Sequence, residues 1–331
     1  MRQSRSQIAG MLLMTLIVLG ATGISVQGQS DGSEQPESGR ASGNKVQRGV
    51  RPVTIPISIR QKGSRARTEE LQAINLVVRE DGEEQRILSI RSMEYTPLSV
   101  AVLIQDDVVN SVNNEIKGIA EFIRGLPQGS RVLVGYIRSG SLQIRQKFTT
   151  DLERAAAALR APIGSPSAAA YNPYVEIIEG LRRFESLPAG RRAMLVISDG
   201  LDISRGVDVS SPIQSIDLQR AINEAQRHSV AIYSFYAPSA SPALGGNLFL
   251  TANAQGSLQR LSDETGGRAF FQGTGAPVSF DPYLSDLNTS LTGQLALTYL
   301  STHPKKGFHR IQIDAANPSV EIDHPAGYTR R

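Results

Sequence analysis

Three patterns of hydrophobic and polar positions succeed one another along the chain. The first is a strict alternation of apolar and polar side chains, clearest at residues 53–59, which is typical of a half-buried strand. Two more strands are predicted at 74–79 and 85–93, and Asp81-Gly82 supplies the turn between them. Residues 50–96 are therefore predicted to form a small N-terminal β unit.

From Leu98 onward, apolar runs alternate with amphipathic segments. Leu98–Gln105 and Arg191–Ser198 are apolar almost throughout, as in strands that are buried on both faces of a parallel sheet. Further strands are predicted at 131–137, 142–148, 230–236 and 268–271, and helices at 110–126, 151–160 (capped by Thr150), 174–184, 217–228 and 258–265. Residues 97–275 are therefore predicted to form an α/β domain, a doubly wound and mostly parallel sheet with helices on both faces.

The third pattern begins near residue 276. A helix at 284–291 is followed by strands at 295–301, 307–313 and 320–322, so residues 276–331 are predicted to be a C-terminal helix with a β extension. Before it, residues 237–256 contain many small side chains and no clear period, and are interpreted as an insertion. Its Leu248, Phe249 and Leu250 form either an exposed anchor for a partner or a segment that folds back onto the domain.

The first 49 residues carry a targeting pattern. Arg2 and Arg5 precede an apolar run at 8–24, and Val26-Gln27-Gly28 offers a small-residue cleavage site. Residues 1–28 are predicted to be a cleaved signal peptide, with a single membrane anchor as the alternative, and residues 29–49 a disordered linker rich in Ser, Gly and Glu. The mature protein is expected to be secreted or periplasmic and to have no membrane span.

Composition removes several classes of function. The net charge is +4 with no basic stripe between aromatic residues, which argues against nucleic acid as a partner. The chain has no cysteine, so disulfides, thiolate metal sites and cysteine nucleophiles are excluded. The four histidines are scattered, and no nucleophile motif is present, so a secreted hydrolase is a remote alternative. Glu176 and Glu179, one helical turn apart, are predicted to lie on a solvated helix face.

Several short motifs occur in a fixed order and resemble those of one family. They lie at residues 77–87, 97–104, 148–151, 190–193, 198–202, 231–233, 261–268 and 327–328. As an ordered set they resemble the von Willebrand factor A-type domains, and most closely the secreted bacterial "VWFA-related" group. The resemblance covers residues 53–328 and implies the doubly wound fold.

The resemblance also implies a metal site that this chain does not fully match. In such domains a D-x-S-x-S loop, a distant Thr and a distant Asp hold a divalent cation above the sheet, and oxygen ligands suit Mg²⁺. Here Gln105 stands at the first Asp, and Asp107 and Val109 stand at the two Ser positions. Residues 165–172, where the Thr is expected, contain none, whereas Asp199 matches. The candidates for the rim of the site or for partner binding are Gln105, Ser165, Ser167, Asn172 and Asp202.

Two functions follow from these observations. The first is a non-catalytic, extracytoplasmic adhesion or scaffold module that binds an unknown protein partner, has an incomplete metal site and needs no cofactor. The alternative is an adhesion module in which Asp106, Asp107 and Asp199 form a rearranged site for Mg²⁺ or Ca²⁺. Against the latter, Asp106 and Asp107 are suited to cap the following helix or to face solvent, and Asp202 is suited to a turn with Ser204.

Overall fold

A computed structural model describes residues 50–61, 76–92, 96–165, 171–188, 191–241, 247–275, 279–318 and 320–330. The predicted signal peptide, the predicted linker and Ser167 lie outside these residues. The strands are β1 Arg51–Gln61, β2 Leu76–Glu80, β3 Glu83–Ser92, β4 Leu98–Gln105, β5 Arg131–Arg138, β6 Ser141–Thr149, β7 Arg191–Ser198, β8 Ala231–Tyr236, β9 Ala269–Phe270, β10 Gln294–Ser301, β11 Gly307–Ala315, β12 Val320–Asp323 and β13 Gly327–Arg330. The α-helices are α1 Ile116–Arg124, α2 Leu152–Ala157, α3 Pro173–Arg182, α4 Ile216–His228, α5 Leu248–Thr265 and α6 Asp281–Thr292.

Six strands form the predicted doubly wound sheet, in the order β6-β5-β4-β7-β8-β9. All neighbours are parallel except β5 and β6, which form an antiparallel hairpin. Helices α1, α2 and α6 pack on one face through Ile119, Ala155 and Leu284, while α3 and α4 cover the other face. The predicted fold class is confirmed. Every residue of β4 is buried, as its unbroken apolar run requires.

The N- and C-terminal strands join in a second sheet. Its order is β12-β1-β10-β3-β2-β11-β13, and each pair is antiparallel. Ile55, Ile57, Leu297 and Tyr299 lie in its hydrophobic core, so segments that are distant in the sequence bury one another. Within the described residues, no helix is both long enough and apolar enough to cross a membrane.

Several predicted boundaries are wrong, and each for a local reason. Helix α5 begins at Leu248, ten residues before the predicted start, because Asn247 accepts hydrogen bonds from the amides of Phe249 and Leu250 and caps it. Asp151 caps α2, not Thr150: its carboxylate accepts from the amide of Arg154. The helix predicted at 110–126 begins as a 3-10 turn at Asn110–Glu115, and β13 was not predicted.

Glu176 is the clearest error in predicted exposure. It lies in the first turn of α3 and is buried, with only 1 % of its surface accessible, whereas a solvated face was predicted. Burial raises the pKa of its carboxyl group, because the charged form is poorly solvated there.

Candidate functional site

The candidate site lies where β4 and β7 run side by side. The chain leaves β4 towards β5 on one side and leaves β7 towards β8 on the other, so the strand order reverses between them. In open α/β sheets the loops diverge at such a point and leave a crevice at the carboxyl ends of the strands. Gln105 ends β4, and Ser198 ends β7 and is followed by Asp199. The predicted site residues Gln105 and Asp199 therefore lie at the carboxyl edge of the sheet, where this crevice opens.

The carboxamide of Gln105 joins the two strand ends. Its Nε2 donates to Oδ1 of Asp107 at 2.9 Å, and its Oε1 accepts from the hydroxyl of Ser198 and from the amide of Asp199. Because donors face one end of the group and a carboxylate faces the other, the orientation of the amide is fixed. The side-chain oxygen of Gln105 already accepts two hydrogen bonds. Its N–H donates to the carboxylate of Asp107, which a cation at this position would need as a ligand.

Asp107 and Asp199 are brought close together in buried surroundings. Asp107 also accepts from the hydroxyl of Ser239 at 3.1 Å, and Asp199 accepts from the amide of Leu201 at 3.0 Å. Burial raises the pKa of Asp199 to about 7, and the charge of Asp107 adds to this shift.

Asp106 belongs to a different cluster. Its carboxylate forms a bidentate ion pair with Arg160, with both N–O distances 2.7 Å, and also accepts from the amide of Ile163. The guanidinium of Arg160 lies over the ring of Tyr136, 3.9 Å from its centroid. The structure thus places Asp107 near Asp199 but pairs Asp106 with Arg160. Sequence reasoning missed this pairing of Asp106.

Two of the remaining rim candidates, Asp202 and Asn172, hold loops in place. Asp202 accepts from the amide and hydroxyl of Ser204, as its turn position predicts, and from the hydroxyl of Ser215, which caps α4. Asn172 caps α3 and donates to Asp217 at 2.8 Å. Ser165 is half-buried in the described part of its loop.

Helix α5 covers Asp199. A cavity of about 10 Å³ remains beside this carboxylate, roughly the space of one water molecule. Its lining residues are Asp199, Leu201, Tyr236, Pro238, Ser239, Leu250, Thr251 and Ala254. The helix approaches this closely because residue 200 is glycine: a Cβ there would lie 2.4 Å from the side chain of Leu258, and the backbone φ is +70°.

Exposed apolar side chains lie on the segment that follows Asp199 and on two helix starts near it in the hydrogen-bond network. They lie at the start of α3, on the segment between β7 and α4, and at the start of α5. We call this set the apolar rim: Tyr171, Val175, Val207, Val209, Ile213, Ile216, Leu248 and Phe249. Its segments are joined by hydrogen bonds from the amide of Ile203 to the carbonyl of Tyr171 and from Asn253 to Ser210. Of the three candidate anchor residues of the insertion, Leu248 and Phe249 are exposed and Leu250 is buried, so the segment folds back onto the domain only in part, and its role as an anchor for a partner stays a prediction.

A second group of potential metal ligands lies away from the crevice. Ligand atoms of Glu185, Glu224 and His228 lie within 4.8 Å of one another. Arg227 contacts both glutamates, and Arg182 lies 3.9 Å from Glu224. The guanidinium groups therefore already supply the positive charge that a metal ion would bring.

The core sheet has one antiparallel edge strand, helices on both faces and its candidate site at the reversal of strand order. The fold is of the von Willebrand factor A type. This confirms the fold that the resemblance implied, whereas the loss of the metal site stays a prediction.

No protein-family model matches the chain, and no curated protein does. Among solved structures, it is similar to an aerotolerance-related membrane protein from Bacteroides fragilis, with 13% identity, 59% of this chain and 98% of that chain covered, and a TM-score of 0.41. BatB from Bacteroides thetaiotaomicron has 13% identity, coverage of 59% and 97%, and a TM-score of 0.40. A von Willebrand factor type A protein from Catenulispora acidiphila has 11% identity, coverage of 85% and 75%, and a TM-score of 0.39. At these identities the likeness concerns the fold alone.

Proposed function

We propose that this protein is a non-catalytic, extracytoplasmic interaction module that binds a protein partner without a metal ion. The observation that carries the proposal is the carboxamide of Gln105. It stands where the resemblance expects the first metal-binding carboxylate, and its oxygen already accepts two hydrogen bonds. Recognition then depends on the surface around the crevice, where the apolar rim offers large exposed side chains.

The hydroxyl groups at the crevice support a non-catalytic role. The hydroxyl of Ser198 donates to Gln105, and that of Ser239 donates to Asp107. A serine nucleophile needs a base, itself held in position, together with donors for an oxyanion. Here the two hydroxyls instead donate hydrogen bonds to buried acceptors, which is a structural role.

A metal-dependent adhesion module is the second candidate, and the pairing of Asp107 with Asp199 favours it. The charge of Asp107 contributes to the raised pKa of Asp199, and a divalent cation between the two carboxylates would relieve this repulsion. Since Arg160 holds Asp106, the rearranged cluster would reduce to Asp107 and Asp199. Carboxylate oxygens suit Mg²⁺ or Ca²⁺.

Thermal unfolding separates the two candidates. We expect millimolar Mg²⁺, Mn²⁺ or Ca²⁺ to leave the Tm of the full chain unchanged, because the oxygen of Gln105 is already engaged. A clear upward shift with a cation, absent from the Asp199→Ala variant, would refute the metal-free proposal and support the second candidate. Isothermal titration with the same ions provides a check that does not depend on unfolding.

The apolar rim gives a further testable prediction. Replacing both Leu248 and Phe249 by Ser is expected to change the free energy of unfolding little, about 0.5 kcal/mol per site, because both side chains are exposed. Partner binding should weaken by about 30-fold if they are central contacts, since hot-spot residues contribute about 2 kcal/mol or more.

The test uses the immobilised full chain to retain proteins from an extracytoplasmic fraction in the presence of EDTA. Leu88→Ser is the matched control, because Leu88 is also an exposed apolar residue but lies on β3 of the second sheet. Retention that both variants preserve equally would exclude the start of α5 from the interface.

A further inference from the structure

The ring of His309 is buried where the turn after β2 meets the connection between β10 and β11. Its Nδ1 lies 2.7 Å from Oδ2 of Asp81, and its Nε2 lies 2.9 Å from the carbonyl oxygen of Lys305. A carboxylate and a carbonyl oxygen only accept hydrogen bonds. Both ring nitrogens must therefore carry a proton for both bonds to exist, so this arrangement requires the imidazolium form.

The surroundings of His309 are suited to a positive charge. Oε1 of Glu80 lies 3.4 Å from Nδ1 of His309 and 3.8 Å from Nδ1 of His303. Glu80 is fully buried, its Oε2 makes no hydrogen bond, and its ion pairs within the described residues are with these two imidazoles. The ring of Tyr328 stacks on His309 at 5.4 Å, and its hydroxyl donates to Glu80 at 2.8 Å.

Other charged groups lie one step further away. Glu83 is 3.5 Å from the Nε2 of His303, and the guanidinium of Arg330 donates to the carbonyl of that histidine. The guanidinium of Arg51 lies 5.8 Å from the centre of the Tyr328 ring. Glu80 and Asp81 thus contact His309 directly, at 3.4 and 2.7 Å from its Nδ1, whereas Arg330 contacts His303 and Arg51 contacts Tyr328.

Asp81 connects this charge to the backbone of the second sheet. It adopts a left-handed conformation, with φ of +51°, and its amide donates to the carbonyl of Arg310 at 2.9 Å. Its Oδ1 in turn accepts from the amide of Arg310 at 2.8 Å. One carboxylate therefore fastens the turn to β11 and also holds the histidine ring.

We propose that His309 is a pH-sensitive clasp, which holds the β2–β3 turn against the C-terminal strands while its ring carries two protons and loosens it when one proton leaves. A neutral ring has a single N–H, so either Asp81 or the Lys305 carbonyl loses its donor. The buried carboxylate of Glu80 at the same time loses an adjacent positive charge.

The direction of the pH effect follows from the pKa shifts of His309 and Asp81. Burial alone would lower the pKa of His309, but the bonds to Lys305 and Asp81 and the charges of Asp81 and Glu80 outweigh it, so the pKa is raised above 6.5. Burial likewise opposes the shift at Asp81, yet its bonds to His309 and Arg310 lower its pKa below 3.8. The stabilisation is fully present near pH 6 and is lost as pH rises through the raised pKa of His309.

Nuclear magnetic resonance of the full chain tests the clasp. Long-range proton–nitrogen spectra should show both nitrogens of His309 protonated at about pH 6, and the ring should titrate above the ordinary histidine value of about 6.5. Between about pH 6 and about pH 9, the protection of the Asp81 and Arg310 amides against hydrogen exchange should fall, about tenfold for each unit of the pKa shift. Asp81→Asn should lower the pKa of His309 and abolish most of the fall in amide protection with rising pH.

His324 provides the internal control, because burial lowers its pKa and it should titrate below the ordinary value. His324→Gln should leave the exchange profile at Asp81 and Arg310 unchanged. The clasp is overturned if His309 titrates at or below the ordinary value, or if the protection of these amides is independent of pH. Tight Zn²⁺ binding by His309 at neutral pH would also overturn it, since a metal-bound nitrogen carries no proton.

Discussion

Asp199→Asn is expected to raise the free energy of unfolding at about pH 8 by on the order of 3 kcal/mol. Burial and the charge of Asp107 raise the pKa of Asp199 to about 7, so the folded protein must hold an unfavourable carboxylate above that pH. Asparagine keeps an acceptor for the amide of Leu201 and removes the charge. Chemical unfolding at several pH values measures the effect.

The sign of the pH dependence of the free energy of unfolding follows from the raised pKa of Asp199, and a second variant provides the control. The carboxyl group of Asp199 loses its proton at about pH 4 in the unfolded chain but near pH 7 in the folded one, so its favourable contribution is present below pH 4 and is lost as pH rises towards 7. The Asn variant should lose this dependence of the free energy of unfolding on pH, while Asp208→Asn, in an exposed 3-10 turn, should retain it. An unchanged slope in the Asp199 variant would contradict the assignment.

The core of the fold was predictable because its signals are local. The apolar runs of β4 and β7 identify strands that are buried on both faces, and their last residues place the crevice. Helix α5 was harder to place, because Ala252, Ala254 and Gly256 weaken the contrast between its faces. The pairing of β1 with β10 links residues more than two hundred positions apart, which no local pattern reveals.

Part of the site was also readable from the sequence. Gln105 ends β4, and Asp106 and Asp107 follow it in a turn. Gln105 and Asp107 are joined by a hydrogen bond, whereas Asp106, grouped with Asp107 and Asp199 on the sequence alone, pairs with Arg160 instead. The partner of Asp106 was not predictable, because Arg160 lies fifty-four residues further along the chain.

The pairing of Asp106 with Arg160 predicts the other large effect. Asp106→Ala should lower the free energy of unfolding by about 3–5 kcal/mol, because it leaves a partly buried guanidinium without its carboxylate. The carboxylate is fully buried and forms both bonds at 2.7 Å. Replacing both residues, Asp106→Leu with Arg160→Met, should be much less harmful than the single change, because no charge is then left unpaired.

The exposed pair Arg124–Glu153 is the matched control, since it is also an arginine–carboxylate contact, with N–O distances of 2.9 and 3.0 Å, but lies at the surface. Glu153→Ala should change the free energy of unfolding by about 0–1 kcal/mol. If Asp106→Ala were no more harmful than this control, the carboxylate would not depend on Arg160. It would then be free to join Asp107 and Asp199 around a cation, and the metal-dependent candidate would regain its third ligand.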